Sequence, residues 1–156
     1  MAEFDRREFI KTGAVTVALM SACVCGFGGC ATYTGVGKTP AAASGSFSLR
    51  KGRLVVDLGR EPRLGQPGGA VKIMHPDVPD GLILARVAQD RFEVVSLLCT
   101  HRGVEVDYDH ERGHFQCASI GSSTFAMDGQ RLSGPARGPL KEYQTTLDEG
   151  RLIVSV

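Results

Sequence analysis

The stretch Cys99-Thr100-His101-Arg102-Gly103 places a histidine two residues after a cysteine, directly behind an apolar run that ends at Leu98. A second stretch, Cys117-Ala118-Ser119-Ile120-Gly121-Ser122-Ser123-Thr124-Phe125, brings another cysteine after a short run that contains Phe115. Thiolate and imidazole groups are common ligands of transition metals. Two cysteines alone are compatible with a disulfide, a pair of metal thiolates or two buried thiols, and the histidine beside the first cysteine favours a metal.

Around these stretches the chain consists of short apolar runs separated by turn residues. Several runs alternate polar and apolar residues, which is typical of strands with one buried face. The 156 residues include 20 Gly and 7 Pro, a composition that favours short strands over helices. We therefore predict an all-β sandwich or small barrel. The predicted strands are residues 53–58, 70–74, 82–87, 92–98, 104–108, 124–127, 140–147 and 151–156.

The residues between the two cysteine stretches predict one β-hairpin. Val104–Tyr108 alternates, Asp109–Gly113 has turn composition, and Phe115 lies in the returning run. Because a hairpin returns the chain to its starting point, both cysteines are expected at the same end of a sheet. Gly103 and Gly121 give the backbone the freedom that tight turns beside a metal require.

These features resemble the two ligand loops of Rieske iron–sulfur proteins. In that family each loop gives one Cys and one His to a [2Fe–2S] cluster, with two thiolates on one iron and two imidazoles on the other. The fifteen residues from Arg102 to Gln116 match the usual separation of the loops. The resemblance implies a Rieske-like fold with a cluster-binding hairpin subdomain. The site residues that it implies are the metal ligands Cys99, His101 and Cys117 and the cluster-covering loop residues Gly134 and Pro135.

The second loop departs from the family pattern at the fourth ligand. Ile120 stands where C-x-x-H would place the second imidazole, and a second alignment places Ser122 there because the loop has one extra residue. Isoleucine has no ligand atom, and serine would bind iron only as an alkoxide. Val104 and Ser119 replace the further cysteines that form a disulfide between the loops in respiratory members. We therefore expect a disulfide-free member with three recognisable ligands.

Two histidines of the hairpin are not expected to replace the missing ligand. His114 is an odd number of residues from Cys117, so the two side chains point to opposite faces of a strand. His110 lies near the predicted tip of the hairpin. We expect both histidines on the surface.

The N-terminal residues have the features of an export signal. Arg6-Arg7-Glu8-Phe9-Ile10-Lys11 resembles the twin-arginine motif, and no charged residue occurs from Thr12 to Gly37. We predict a twin-arginine signal or membrane anchor over residues 1–37. Small residues precede Cys23 and Cys30, as in a lipobox. A retained inner-membrane anchor, a lipoprotein and a cleaved periplasmic product therefore remain open.

The remaining chain divides into a linker and a domain. Residues 38–46 are small and polar and have no periodicity, so a flexible linker is predicted there. The Rieske-like domain is predicted over residues 47–156.

Three functions are compatible with the sequence. The first is an exported electron carrier with a [2Fe–2S] cluster, a component of an oxidoreductase that is not catalytic on its own. Its partner would be a redox protein or a quinol-oxidising complex, with the N-terminal segment at the membrane. The second is a degenerate Rieske fold without a cluster that acts as a structural or docking subunit. The third is a single zinc or iron ion with an open fourth position. The formal net charge of +1 gives no basis for nucleic-acid binding.

Overall fold

The computed structural model describes residues 39–156, which form strands and one short 3-10 turn at Pro62–Leu64. Over this range no α-helix is present, and no helix has the length and apolar character of a membrane span. The predicted signal or anchor over residues 1–37, with its candidate lipobox cysteines, lies outside the described residues. The strands are β1 (Phe47–Arg50), β2 (Arg53–Asp57), β3 (Ala70–His75), β4 (Val78–Ala88), β5 (Arg91–Ser96), β6 (Val106–Asp109), β7 (His114–Cys117), β8 (Thr124–Phe125), β9 (Arg131–Ser133), β10 (Thr145–Asp148) and β11 (Arg151–Ser155).

The strands form three antiparallel sheets with the orders β1-β2-β11-β10, β3-β4-β5 and β6-β7-β8-β9. Burial alternates along β2, β7 and β11, so each of these strands has one face toward a core. This is the pattern that the alternating sequence runs predict. The prediction of an all-β fold is confirmed.

Strand β4 lies between two hydrophobic cores. Leu82 and Leu84 face the first core, which also contains side chains of β2 and β11. Ile83 and Ala85 face the second core, which contains Cys99 and other residues of the cysteine loops. Because both faces of β4 are buried, its sequence is a continuous apolar run at this point. Strand β4 therefore packs against both cores. Through these contacts the sheet β6-β7-β8-β9, which carries the second cysteine loop, is held against the other two sheets.

Residues 39–46 are packed against the domain, which differs from the flexible linker that the sequence predicts over residues 38–46. Thr39 and Ser46 are buried. The Thr39 N–H donates to Asp107 Oδ1 at 2.8 Å, and the Ala43 N–H donates to Glu61 Oε2 at 2.6 Å. The carboxylates of Asp107 and Glu61 accept these backbone N–H groups in place of water. Residues 39–46 are therefore held against the domain. We call residues 39–46 the strap.

Candidate metal centre

The two cysteine loops begin at the ends of β5 and β7 and lie beside β6. The Val106 N–H donates to Leu97 O at 2.9 Å, and Val106 pairs with Cys117 in the antiparallel register of β6 and β7. The Cys99 N–H donates to Val104 O at 2.8 Å. Both loops therefore contact the same segment of chain, as the predicted hairpin requires.

Cys99 and Cys117 are free thiols that are almost completely buried, with 2% and 1% of their surface exposed. Burial raises the pKa of the Cys99 thiol, the His101 N–H acts against this, and the neighbouring Cys117 thiol raises the pKa further. Cys117 Sγ lies 3.1 Å from Ser119 Oγ. A metal cation would stabilise both sulfurs as thiolates at this position.

His101 presents a buried ring nitrogen that has no partner. Its Nδ1 is one of the few buried side-chain polar atoms in the described part of the chain without a hydrogen bond. A buried, unpaired polar atom costs roughly 1–3 kcal/mol, and a bound metal would remove that cost. Over residues 39–156, however, no three His, Cys, Asp or Glu side chains are close enough together to hold a metal ion. The structure thus brings the two thiols together and leaves the imidazole outside a common ligand group.

Neither candidate for the fourth ligand position offers a ligand atom to the thiols. The Ile120 side chain is fully exposed, at 101%. Ser122 Oγ accepts a hydrogen bond from Gln116 Nε2 and donates to Cys117 O at 3.1 Å, so it is bound to the edge of β7. By residue type, Cys99, His101 and Cys117 could supply three of the four ligands of a Rieske cluster, and neither Ile120 nor Ser122 supplies a fourth imidazole.

Ser123 is a site residue that the sequence prediction missed. It is 1% exposed, and its backbone O accepts the Cys117 N–H at 2.8 Å. Its hydroxyl accepts the Ala136 N–H at 2.9 Å and also lowers the pKa of the Cys99 thiol by hydrogen bonding. The only sequence signal for this role is the S-x-F pattern that ends in the buried Phe125.

The predicted covering loop contacts both cysteine loops. A Cβ on Gly134 would lie 2.5 Å from Ser123 Cα, so only glycine allows this approach of the two backbones. Pro135 Cγ is 3.9 Å from the position that a Cβ of Gly121 would occupy. Thr100 Oγ1 donates to Gly138 O at 2.9 Å on the first loop. The loop that begins at Gly134 therefore lies against both cysteine loops.

The two hairpin histidines lie away from the thiols. His110 is exposed, as expected, and its Nδ1 is 3.0 Å from Tyr108 Oη. The burial pattern of β7 places His114 on the opposite face from Cys117, which agrees with the spacing argument. His114 is nevertheless half-buried with an unpartnered Nε2, so the expectation of a surface position is wrong for this residue.

Comparison with known proteins identifies the family. The family model described as the Rieske [2Fe-2S] domain matches residues 56–144, a range that contains both cysteine loops and the covering loop. The chain is similar to the cytochrome b6-f complex iron–sulfur subunit of Chlorobaculum tepidum, with 29% identity over 107 residues, or 69% of this chain and 58% of that protein. It is also similar to the chloroplastic cytochrome b6-f complex iron–sulfur subunit of Bigelowiella natans, with 34% identity over 61 residues, or 39% of this chain and 24% of that protein. The chain thus spans less than two thirds of either relative.

Among solved structures, the plasma membrane Rieske protein of the cyanobacterium Synechocystis PCC 6803 is 26% identical, with a TM-score of 0.49. The similarity covers 56% of this chain and 87% of that protein. The family match at residues 56–144 extends over more than half of the 156 residues. The chain belongs to the Rieske [2Fe–2S] domain family.

Proposed function

We propose that this protein is a Rieske-type electron carrier whose [2Fe–2S] cluster is held by Cys99, Cys117 and His101. The fourth ligand is not an imidazole of the second cysteine loop, because that loop contains no histidine. The observation that carries the proposal is the pair of buried thiols, together with a buried, unpartnered ring nitrogen on His101 in the first cysteine loop. When bound, the cluster supplies transfer of one electron at a time.

The polypeptide's own contribution is burial and hydrogen bonding at the sulfur atoms. Phe115 and Phe125 are fully buried and belong to the same core as both cysteines, so they keep water from that side of the site. The Ser119 hydroxyl contacts Cys117 Sγ. Hydrogen bonds to sulfur and low solvent exposure are the two means by which a protein sets the reduction potential of such a group.

The partner that we propose is a membrane redox complex that oxidises a quinol. This proposal rests on the two relatives, which are named as subunits of cytochrome b6-f complexes. The twin-arginine-like motif at residues 6–11 supports export and a location at the inner membrane or in the periplasm. A cofactor inserted in the cytoplasm is compatible with that route, because it carries folded proteins.

A second candidate is a subunit of the same fold that binds no cluster and acts in docking. The specific observation in its favour is the fourth ligand position, where Ile120 points into solvent and Ser122 is bound to Gln116 and Cys117 O. A cluster with one imidazole missing would be more easily lost than one with its full ligand set.

Iron and sulfide analysis of protein purified without oxygen distinguishes these candidates. The electron-carrier proposal predicts iron and acid-labile sulfide together, with the visible and EPR spectra of a labile cluster that chelators remove. Iron or zinc without sulfide would indicate a single metal ion, and absence of both would support the docking subunit. A stoichiometric, chelator-resistant cluster with the spectra of two imidazole ligands would contradict the assignment of three ligands.

Matched variants connect this measurement to the residues. His101→Ala is expected to abolish the bound iron because it removes the only imidazole of the two loops. His75→Ala is the control, since His75 lies on β3 and contacts Asp77 rather than the cysteine loops. Equal iron contents in the two variants would show that His101 is not a ligand.

A further inference from the structure

The outer face of the sheet β1-β2-β11-β10 carries a groove that contains several arginines. Leu54 and Val56 of β2 point into the first core, so Val55 and Asp57 point outward. The groove on this outer face has a volume of about 400 Å³. Its lining comes from the end of the strap, from β1, β2 and β11 and from the turn after β2, and it includes Arg50, Arg60 and Arg151.

The groove has more positive than negative charge. Its lining contains three arginines and one acidic side chain, Asp57. Arg60 Nε lies 3.6 Å from Asp57 Oδ2, and Asp57 Oδ1 accepts the Gly59 N–H at 3.0 Å. Within residues 39–156, Arg50 and Arg151 form no ion pair with an acidic side chain. Two guanidinium groups of the groove are therefore available to an anion, although the net charge of the chain is only +1.

The floor of the groove is apolar. Val55 lines the groove and is half-buried. Its antiparallel neighbours are Ser48 of β1 and Ile153 of β11, and Ile153 is also half-buried. An apolar floor with guanidinium groups around it suits a ligand that carries both carboxylates and aliphatic groups, because the planar guanidinium matches a carboxylate with two parallel hydrogen bonds.

The groove borders an open sheet edge. Strand β1 is the edge strand of its sheet and pairs with β2. Lys51 and Gly52 have positive φ and form a two-residue turn, and the flanking Arg50 and Arg53 face each other in the register. In such a hairpin the flanking residues bond to each other, so the backbone groups of Leu49 point to the open side. Among the described residues, no backbone group bonds to Leu49 from that side.

We propose that this groove binds an extended acidic segment of a partner protein. The carboxylates of the segment pair with Arg50, Arg60 and Arg151, and its backbone adds beside β1. An open strand edge offers backbone donors and acceptors that an extended polypeptide matches and a lipid headgroup does not. The excess of positive charge selects an acidic sequence. This proposal does not depend on the presence of a cluster.

The groove is separate from the cysteine loops. It lies on the outer face of a sheet whose inner face contributes Leu54 and Val56 to the first core. Cys99 and Cys117 belong to the second core, which packs on the other face of β4. A segment bound in the groove therefore does not occupy the cysteine loops.

Titration of the isotope-labelled full chain with a synthetic peptide tests the proposal by NMR. The probe is a blocked peptide of alternating glutamate and threonine, which places its carboxylates on one face of a strand. The reference peptide has glutamine in place of glutamate. We expect the glutamate peptide alone to shift the amide signals of Ser48 and Arg50 and to slow hydrogen exchange at Leu49. Exchange at Tyr143, whose amide donates to Val94 O at 2.9 Å, is expected to stay unchanged.

Two double variants with equal charge loss connect binding to the groove. Arg50→Gln with Arg151→Gln is the groove variant, and Arg91→Gln with Arg137→Gln is the control, since these exposed arginines lie outside the groove. The groove variant is expected to bind the glutamate peptide about fivefold more weakly, the effect of losing two exposed charge pairs. The control variant is expected to bind it as tightly as the unmodified protein does.

The proposal is overturned by equal binding of the two peptides, by equal affinity of the two double variants, or by Leu49 exchange that the glutamate peptide does not slow. Vesicles that contain phosphatidylglycerol test a membrane surface as the other occupant. Binding of the full chain to these vesicles is expected to be the same in the two double variants. A loss of vesicle binding confined to the groove variant would assign the groove to anionic lipid and would also overturn the proposal.

Discussion

The conformation of the second cysteine loop at Ile120 and Ser122 determines which side chains the loop presents to the cysteines. The Ser122 N–H donates to Ser119 O at 3.0 Å, which closes a turn inside the second cysteine loop. Ser122 has a φ of +30°, a left-handed conformation that is uncommon outside glycine. The turn moves the Ile120 side chain into solvent and lets Ser123 and Phe125 return to the core. The loop therefore stays attached to the fold, while neither Ile120 nor Ser122 presents a ligand atom to the cysteines.

Restoring an imidazole at one of these positions should increase cluster occupancy. We expect Ile120→His or Ser122→His to raise the iron content per chain, but not both equally, since their side chains leave the loop in different directions. The measurement is iron and sulfide per chain after purification without oxygen. Ala118→His, which adds an imidazole at an exposed position of the same loop, is the control. No gain from either substitution would favour the cluster-free candidate.

The sequence predicts part of the site because spacing is visible in a sequence and side-chain orientation is not. Cys99, His101 and Cys117 are candidates because their loops resemble the Rieske ligand loops, and the structure buries both cysteines. Ser123 is marked only by the S-x-F pattern, which does not by itself indicate a contact with the cysteines. Asp107 and Glu61 have no sequence signature, because each is buried against strap backbone that is distant in sequence.

At the scale of elements, alternation predicts strands that bury one face and gives no signal for a strand that is exposed on both faces. Strand β9 (Arg131–Ser133) is exposed throughout, so it has no alternation to detect. The sequence predicts a strand over residues 140–147, but only Thr145–Asp148 forms β10. Leu140 and Tyr143 are buried as single anchors on either side of an isolated bridge between Glu142 and Val95. A segment of this kind has the composition of a strand but pairs with its neighbour only over a single bridge.

The turn between β6 and β7 should make stability depend on pH. Asp109 accepts the Arg112 N–H at 3.0 Å and Arg112 Nη1 at 2.9 Å. The backbone N–H of Arg112 and then its guanidinium lower the pKa of Asp109 in the folded protein. Because the folded pKa is below the unfolded one, the stabilisation is present above the ordinary pKa of aspartate, about 3.9. It is lost as the pH falls below that value and through the folded pKa.

Asp109→Asn tests this linkage. The variant should be less stable than the unmodified protein at pH 7, and the difference should shrink as the pH falls below the ordinary pKa of aspartate and through the lowered pKa of Asp109 in the folded protein. Urea unfolding at several pH values measures it. Glu111→Gln, at an exposed position of the same turn, is the control and should show little difference at any pH. A difference for Asp109→Asn that is constant with pH would contradict the assignment.

At the scale of the whole molecule, the predicted export route concerns residues outside the described range. Replacing Arg6 and Arg7 together by Lys is expected to block export and leave the precursor in the cytoplasm. Lysine keeps the charge but lacks the planar guanidinium that a receptor recognises. Cell fractionation measures the outcome, and Lys11→Arg is a control that leaves the arginine pair intact. Export of the double variant at the normal rate would refute the twin-arginine prediction.

The strap has a consequence for the order of folding. Thr39 meets Asp107 and Tyr108 across 68 and 69 residues of chain, so its closure requires β6 to be in place first and carries the entropy cost of a long loop. Contacts that form after the rate-limiting step affect unfolding rates and leave folding rates unchanged. Thr39→Val should therefore accelerate unfolding in stopped-flow denaturant jumps without slowing refolding. Slower refolding would place strap closure before the barrier. In the expected case, the residues synthesised first in this domain are among the last to reach their native contacts.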